Sequence, residues 1–172
     1  MQNDFIDGVL GSDDARAIVP KVKEKIKEYQ DNGDRIIFTQ DTHYDYEFSI
    51  GEDITFSVEN KMIPPHCLYG TNGWNIPEDI DVKNATHIRK NSFGSSLLCY
   101  EFFDDEATDT IEIIGLCTDI CVISNALMLR SDCLCCRIIV DASCCAGTTP
   151  EKHCAALDVM ESCLIEVINK GE

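Results

Sequence analysis

Basic residues are scarce. The chain has 14 Lys and Arg against 31 Asp and Glu, a formal charge of −17 over 172 residues. Such a surface repels phosphate backbones, which excludes broad nucleic-acid binding. No apolar run approaches the ~20 residues a membrane span needs, so no membrane partner is expected. The opening Met1-Gln2-Asn3-Asp4-Phe5 lacks the basic and apolar regions of a secretory signal. Internal repeats, low-complexity stretches and linkers are absent as well. The odd count of 11 cysteines argues against a secreted disulfide framework. A chain this long also buries about 70% of its unfolded surface without staples. The cytosol is therefore the expected compartment, and one domain over residues 1–172 the expected organisation.

What is present is an ordinary globular balance, 44% hydrophobic and 26% charged, which argues against disorder. Apolar Val19, Val22, Ile26 and Tyr29 predict an amphipathic helix over 18–29, stopped by Asn32-Gly33. Arg35 to Thr39 reads as a short buried strand. The stretch from Gln40 to Asp81 is rich in Gly, Pro and Asp and too long for an ordinary loop, which marks it as functional. A strand over 86–89, a helix over 95–103 and a strong strand over 110–116 follow. Thr118 is the expected N-cap of a helix reaching about Ser131. A strand over 135–140, a helix opened by Pro150 at its first position and a last strand over 164–168 complete the order. Strand and helix alternate. This predicts an α/β fold, a parallel sheet with helices on both faces and sites at the carboxyl ends of the strands.

Those ends carry the unusual residues: Asp41 and His43, then Lys90, then Cys117, Asp119 and Cys121, then Asp141. Cys121 lies three residues past Thr118, near the positive end of a helix dipole, which lowers a thiol pKa. It reads either as a nucleophile, with nearby backbone N–H groups to hold an oxyanion, or as a core cysteine. Lys90 reads as a thiolate partner or as an exposed strand-end lysine. Asp41-x-His43, with Glu59 and His66 further on, offers two imidazoles and two carboxylates. That set suits Zn, Mn or Fe, and a hydrogen-bonded turn is the other reading. The cysteines from Cys133 to Cys145 lack the paired CxxC spacing of a zinc knuckle and are expected to be small buried filler.

The opening Met1 to Phe5, the segments Thr39-Gln40-Asp41-Thr42-His43 and Pro64-Pro65-His66-Cys67-Leu68-Tyr69-Gly70-Thr71, and Gly115-Leu116-Cys117-Thr118-Asp119-Ile120-Cys121-Val122 occur in one order. Together they resemble the isochorismatase-like cysteine hydrolases, specifically their nicotinamidase and pyrazinamidase branch. The resemblance runs from the first residue to the last strand. It implies a three-layer α/β sandwich around a central parallel sheet.

Carried over residue by residue, the resemblance makes Cys121 the nucleophile and Lys90 the catalytic lysine. Asp41, His43 and His66 match metal ligands. Glu59, seven residues before His66, resembles the glutamate ligand of one sub-branch, since no histidine follows between Tyr44 and Ile50. The ion is then divalent, zinc first, with manganese or iron as alternatives. Phe5, Ile63 and Phe93 match substrate-packing positions. A cis peptide precedes Cys117, and the N–H groups of Cys117 and Cys121 hold the oxyanion. The implied reaction is hydrolysis of nicotinamide, and of pyrazinamide, to the acid and ammonia, a step of NAD salvage. A homo-oligomer acting on a small carboxamide is expected. The alternatives are a relative acting on another small substrate, a catalytically dead binding protein of this fold, or a metal-buffering or redox protein built on the cysteines. The resemblance also sets a general-base aspartate two residues before Gln2, and the first central strand before that. Both then lie upstream of Met1.

Overall fold

The computed structural model describes residues 1–44, 63–102 and 107–171. A short helix α1 (Asn3–Ile6) leads into the long helix α2 (Asp13–Asn32). The α2 helix starts five residues earlier than apolar periodicity predicts. Ser12 accepts a hydrogen bond from the Ala15 N–H at 3.0 Å, and Asp13 and Asp14 occupy the first turn. Both devices satisfy or complement the positive N-terminus, and the helix continues through Pro20. Gly33 closes it with a φ of 80°, the left-handed conformation that glycine adopts at no steric cost.

The strands are β1 (Ile37–Asp41), β2 (Thr86–Lys90), β3 (Thr110–Leu116), β4 (Arg137–Ala146) and β5 (Glu166–Ile168). Between them lie helices α3 (Ser96–Tyr100), α4 (Ile123–Asp132) and α5 (Pro150–Ser162). The β4 strand runs six residues beyond its predicted end because its interior alternation is replaced by near-continuous burial from Ile138 to Ala146, the pattern of a strand covered on both faces.

All pairings are parallel, in two groups: β1 with β2, and β3 with β4 with β5. Two apolar clusters flank them. One gathers α1, α2, Phe38 and Leu116. The other gathers α3, α4, α5 and Ile111, Ile138 and Val140. Helices therefore cover both faces of the strands, as the alternation predicts. Between the facing edges of β1 and β3 runs a slot of about 480 Å³, walled by Val22 and Ile26 on one side and Leu98 and Leu129 on the other.

Two expectations need correction. Thr118 does not cap a helix. A π-helical turn covers Thr118–Val122, and the Thr118 hydroxyl lies 2.8 Å from His153 Nδ1 on α5 instead. Asp141 does not end a strand. It sits buried inside β4 and pairs with Lys25, Ser143 and Asn169.

Candidate active site

β1 and β2 are in register so that Asp41 and Lys90, their last residues, lie opposite each other. Both side chains are buried, and Lys90 donates to Asp41 Oδ1. The Lys90 ammonium also donates to the Ser92 carbonyl at 3.0 Å and to Cys121 Sγ at 3.3 Å. Burial alone pulls the lysine's pKa down. The charges of Cys121 and Asp41 outweigh it, so the group is held above its ordinary value and stays protonated. A cation this close to sulfur stabilises negative charge on it.

Cys121 belongs to the π-helical turn, immediately after the cis peptide Leu116–Cys117 that the resemblance implies. Asn125, four residues on along the same helical face, donates to the Cys121 carbonyl at 2.8 Å and accepts from the Ser95 N–H at 3.0 Å. It thereby ties the turn to the start of α3. The Cys117 thiol is pushed up to about 12 by burial first, then by the charges of Cys121 and Asp119. It therefore remains a protonated thiol at neutral pH.

On the other side of Asp41 stand His43 and His66. One ligand atom from each of these three buried residues lies within 4.8 Å of the others. The His43 and His66 rings are 4.7 Å apart, and Phe5 meets the edge of His66 at 5.7 Å. His66 Nδ1 lies 2.8 Å from the Pro64 carbonyl, a contact that turns Nε2 outward as a ligand. Two imidazoles and a carboxylate fit a divalent ion of the zinc, manganese or iron class. Asp41 has two oxygens and serves both neighbours. Among the described residues this is the one group of three such donors found close together.

The remaining sequence-predicted residues divide. Ile63 is half-buried, next to Pro64. Phe93 is exposed, and its carbonyl is held by Asn125 at 3.3 Å. Glu59 lies outside the described residues.

Sequence reasoning missed the supports. The Gln2 side-chain amide clasps the Asp41 backbone, accepting from its N–H at 2.7 Å and donating to its carbonyl at 2.8 Å. Asp4 accepts from the Cys67 N–H at 2.7 Å, which fixes the loop carrying His66. Gly73 passes so close that an added Cβ would sit 2.2 Å from the Asp4 carboxylate. The i, i+4 spacing of Cys121 and Asn125 was a usable signal. The contacts of Gln2 and Asp4 were not, since both span long stretches of chain.

The whole chain, residues 1–172, matches the isochorismatase domain. It is 26% identical over 183 aligned positions to the nicotinamidase/pyrazinamidase of Mycobacterium tuberculosis, covering 98% of this chain and 94% of that protein. A crystal structure of a pyrazinamidase/nicotinamidase from Streptococcus mutans superposes with a TM-score of 0.81 at 28% identity, covering 97% and 95%. A Pyrococcus horikoshii pyrazinamidase crystallised with zinc shares the fold at a TM-score of 0.82 and 24% identity, covering 98% and 94%. The chain belongs to the isochorismatase family of hydrolases.

Proposed function

We propose that this protein is a cysteine amidohydrolase that converts nicotinamide to nicotinate and ammonia and accepts pyrazinamide. The observation that carries the reading is the continuous line Cys121, Lys90, Asp41, His43, His66, in which a thiol with its cation adjoins a three-donor metal group. The likeness to enzymes named nicotinamidase/pyrazinamidase supports the choice of substrate.

The Cys121 thiolate attacks the carboxamide carbon. Lys90 stabilises the charge that moves from sulfur to oxygen, and the N–H groups of Cys117 and Cys121 hold the oxyanion. The C–N bond breaks, the amide nitrogen takes up the proton that the Cys121 thiol gave up on forming the thiolate, and ammonia leaves. Water then attacks the thioester, the C–S bond breaks, and acid and thiol are restored. A divalent ion held by Asp41, His43 and His66, with Glu59 as a fourth candidate, would bind the pyridine nitrogen as a Lewis acid. Phe5, at the edge of His66, is the ring that packs on the substrate. A small carboxamide acted on by a homo-oligomer in the cytosol completes the reading.

The test is ammonia release from nicotinamide by purified, metal-replete protein. Turnover supports the reading. Tight binding without ammonia would favour a binding protein, and no response would favour another substrate of the family.

A further inference from the structure

We propose that His153, in the first turn of α5, is a positioning residue for the turn that carries Cys121, and that it acts through the Thr118 hydroxyl. The inference rests on the reading of Cys121 as the nucleophile and is independent of which amide is cleaved.

Cys121 is the fourth residue of the π-helical turn Thr118–Val122, and Cys117 directly precedes that turn. The nucleophile and both proposed oxyanion N–H groups therefore move with it. Within the turn the Cys117 carbonyl accepts from the Ile120 and Val122 N–H groups, each at 3.1 Å. Those bonds give the turn its shape but do not fix it against the rest of the molecule. Lys90 reaches Cys121 Sγ at 3.3 Å from β2, a separate element. A displacement of about 1 Å between such groups costs on the order of 10²-fold in rate, so the turn needs an outside anchor.

Thr118 stands one residue after Cys117 and three before Cys121. It is fully buried, and its Oγ1 lies 2.8 Å from His153 Nδ1. A buried hydroxyl without a partner is costly, and here the partner comes from another element. The neighbouring Asp119 carboxylate accepts from the Thr148 N–H at 2.7 Å and from the Thr148 hydroxyl at 2.6 Å. Two consecutive residues of the turn are thus tied to the segment that opens α5. The Asp119 bonds face solvent. The Thr118 bond is shielded, and a hydrogen bond is stronger in a low local dielectric.

His153 is itself held in place. Thr149 accepts from the Lys152 N–H at 3.2 Å, and the His153 N–H donates to the Thr149 carbonyl at 2.9 Å. Leu157, one turn further on, and Met160 lie in the core, so α5 is seated on the same side of the helix. Gly147 passes so close that an added Cβ would sit 2.9 Å from the His153 Cβ. Burial lowers the His153 pKa against the pull of Asp119 and Asp14, which keeps the ring neutral at neutral pH. At the other end of the turn Asn125 donates to the Cys121 carbonyl at 2.8 Å. The nucleophile thus lies between two anchors, Thr118 on α5 and its own carbonyl on Asn125.

The test compares the native chain with Thr118→Val, Thr118→Ser, His153→Leu, His153→Asn and the double variant Thr118→Val with His153→Leu. Serine keeps the hydroxyl, and the asparagine amide offers a polar atom in the place of Nδ1. One readout is kcat and KM for nicotinamide. The other is the rate at which iodoacetamide alkylates Cys121 at neutral pH, followed by mass spectrometry of its peptide, which requires no substrate. Thr118→Val and His153→Leu should each lower kcat roughly 10–10²-fold with KM changed less than about twofold. Each should slow alkylation at least ~5-fold, because the sulfur loses its fixed approach to Lys90. The double variant should be no slower than the worse single, as expected of two partners in one bond. Thr118→Ser and His153→Asn should recover most of both rates, and Cys154→Ala, altered at an exposed neighbour on α5, should match the native chain. Equal rates for Thr118→Val and Thr118→Ser, additive losses in the double variant, or native alkylation in His153→Leu would each overturn the proposal. His153 is half-buried, so the leucine and asparagine variants decide by themselves if Thr118→Val does not fold. Absence of ammonia release by the native chain, with the alkylation pattern intact, would overturn the substrate reading and support this one.

Discussion

Asp41 and Lys90 face each other as the last register pair of β1 and β2, and the Lys90 ammonium, paired with Asp41, reaches Cys121 Sγ at 3.3 Å. The pairing of two strand ends thus places a cation on a helix-borne thiol. It also explains why a lysine is tolerated where it is 7% exposed. A buried amine is costly alone, and here it has a carboxylate, a carbonyl and a sulfur as partners.

Lys90→Met should lower kcat/KM for nicotinamide by roughly 10²–10³, the usual effect of removing one preorganised charge-stabilising donor. It should also destabilise the protein by about 3–5 kcal/mol, because Asp41 is left buried without its cation. Lys90→Met with Asp41→Asn should recover most of the stability and none of the activity. Urea midpoints alongside ammonia release check both statements, and recovery of turnover in the double variant would remove Lys90 from the chemistry.

Metal retention should follow the imidazoles. Protein purified without chelator should carry about one divalent ion per chain, the number one such donor group holds. His43→Ala and His66→Ala should each lose it. His87→Ala, which sits on β2 and stacks on Phe38, should retain it. Glu59→Ala should weaken retention less than either imidazole change. Elemental analysis after dialysis decides, and normal metal content in His43→Ala would contradict the assignment.

Benzamide tests the reason for the metal. It has the shape of nicotinamide without the ring nitrogen, so it leaves the ion's open position to water. Its kcat/KM should fall at least ~10²-fold below nicotinamide, as at sites built for one polar group. Pyrazinamide keeps a nitrogen in the same place and should turn over well. Equal turnover of benzamide would remove the metal from substrate recognition.

Acid stability should be set partly away from the site. Burial raises the Asp141 pKa, but hydrogen bonds from Asn169, Ser143 and Lys25 outweigh it and hold the folded value below the ordinary 3.8. A depressed carboxyl contributes stability that is complete above its unfolded pKa and drains as pH falls through the folded value. The urea midpoint of the native protein should therefore exceed that of Asp141→Asn at pH 6, and the difference should shrink progressively below pH 3.8. A difference that persists undiminished at pH 2 would show that Asp141 acts by shape rather than charge.

Much of this was legible in the sequence for local reasons. Pro150 at the first helical position and the terminating Gly33 mark ends that chain stereochemistry dictates. The apolar run from Ile111 to Leu116 reads as a strand at any position in a fold. The acid, imidazole, amine and thiol at successive strand ends come together in the fold because parallel sheets gather those ends. The failures were long-range. Thr118 looks like a cap until α5 brings His153 to its hydroxyl. Asp141 looks like a strand end until Lys25 of α2 crosses above it. In each case the deciding partner is distant along the chain or set by the turn between elements, where composition carries no signal.

The central claim is that Cys121 attacks the carboxamide. Mass spectrometry of protein quenched in acid during turnover of nicotinamide reads it directly. The account predicts a nicotinoyl thioester on the peptide containing Cys121, lost on longer incubation as nicotinate appears. It also predicts neither adduct nor ammonia from Cys121→Ala, while Cys145→Ala, altered at a cysteine buried in β4, retains both. An adduct on another residue, or ammonia release by Cys121→Ala at more than a few per cent of the native rate, would contradict it.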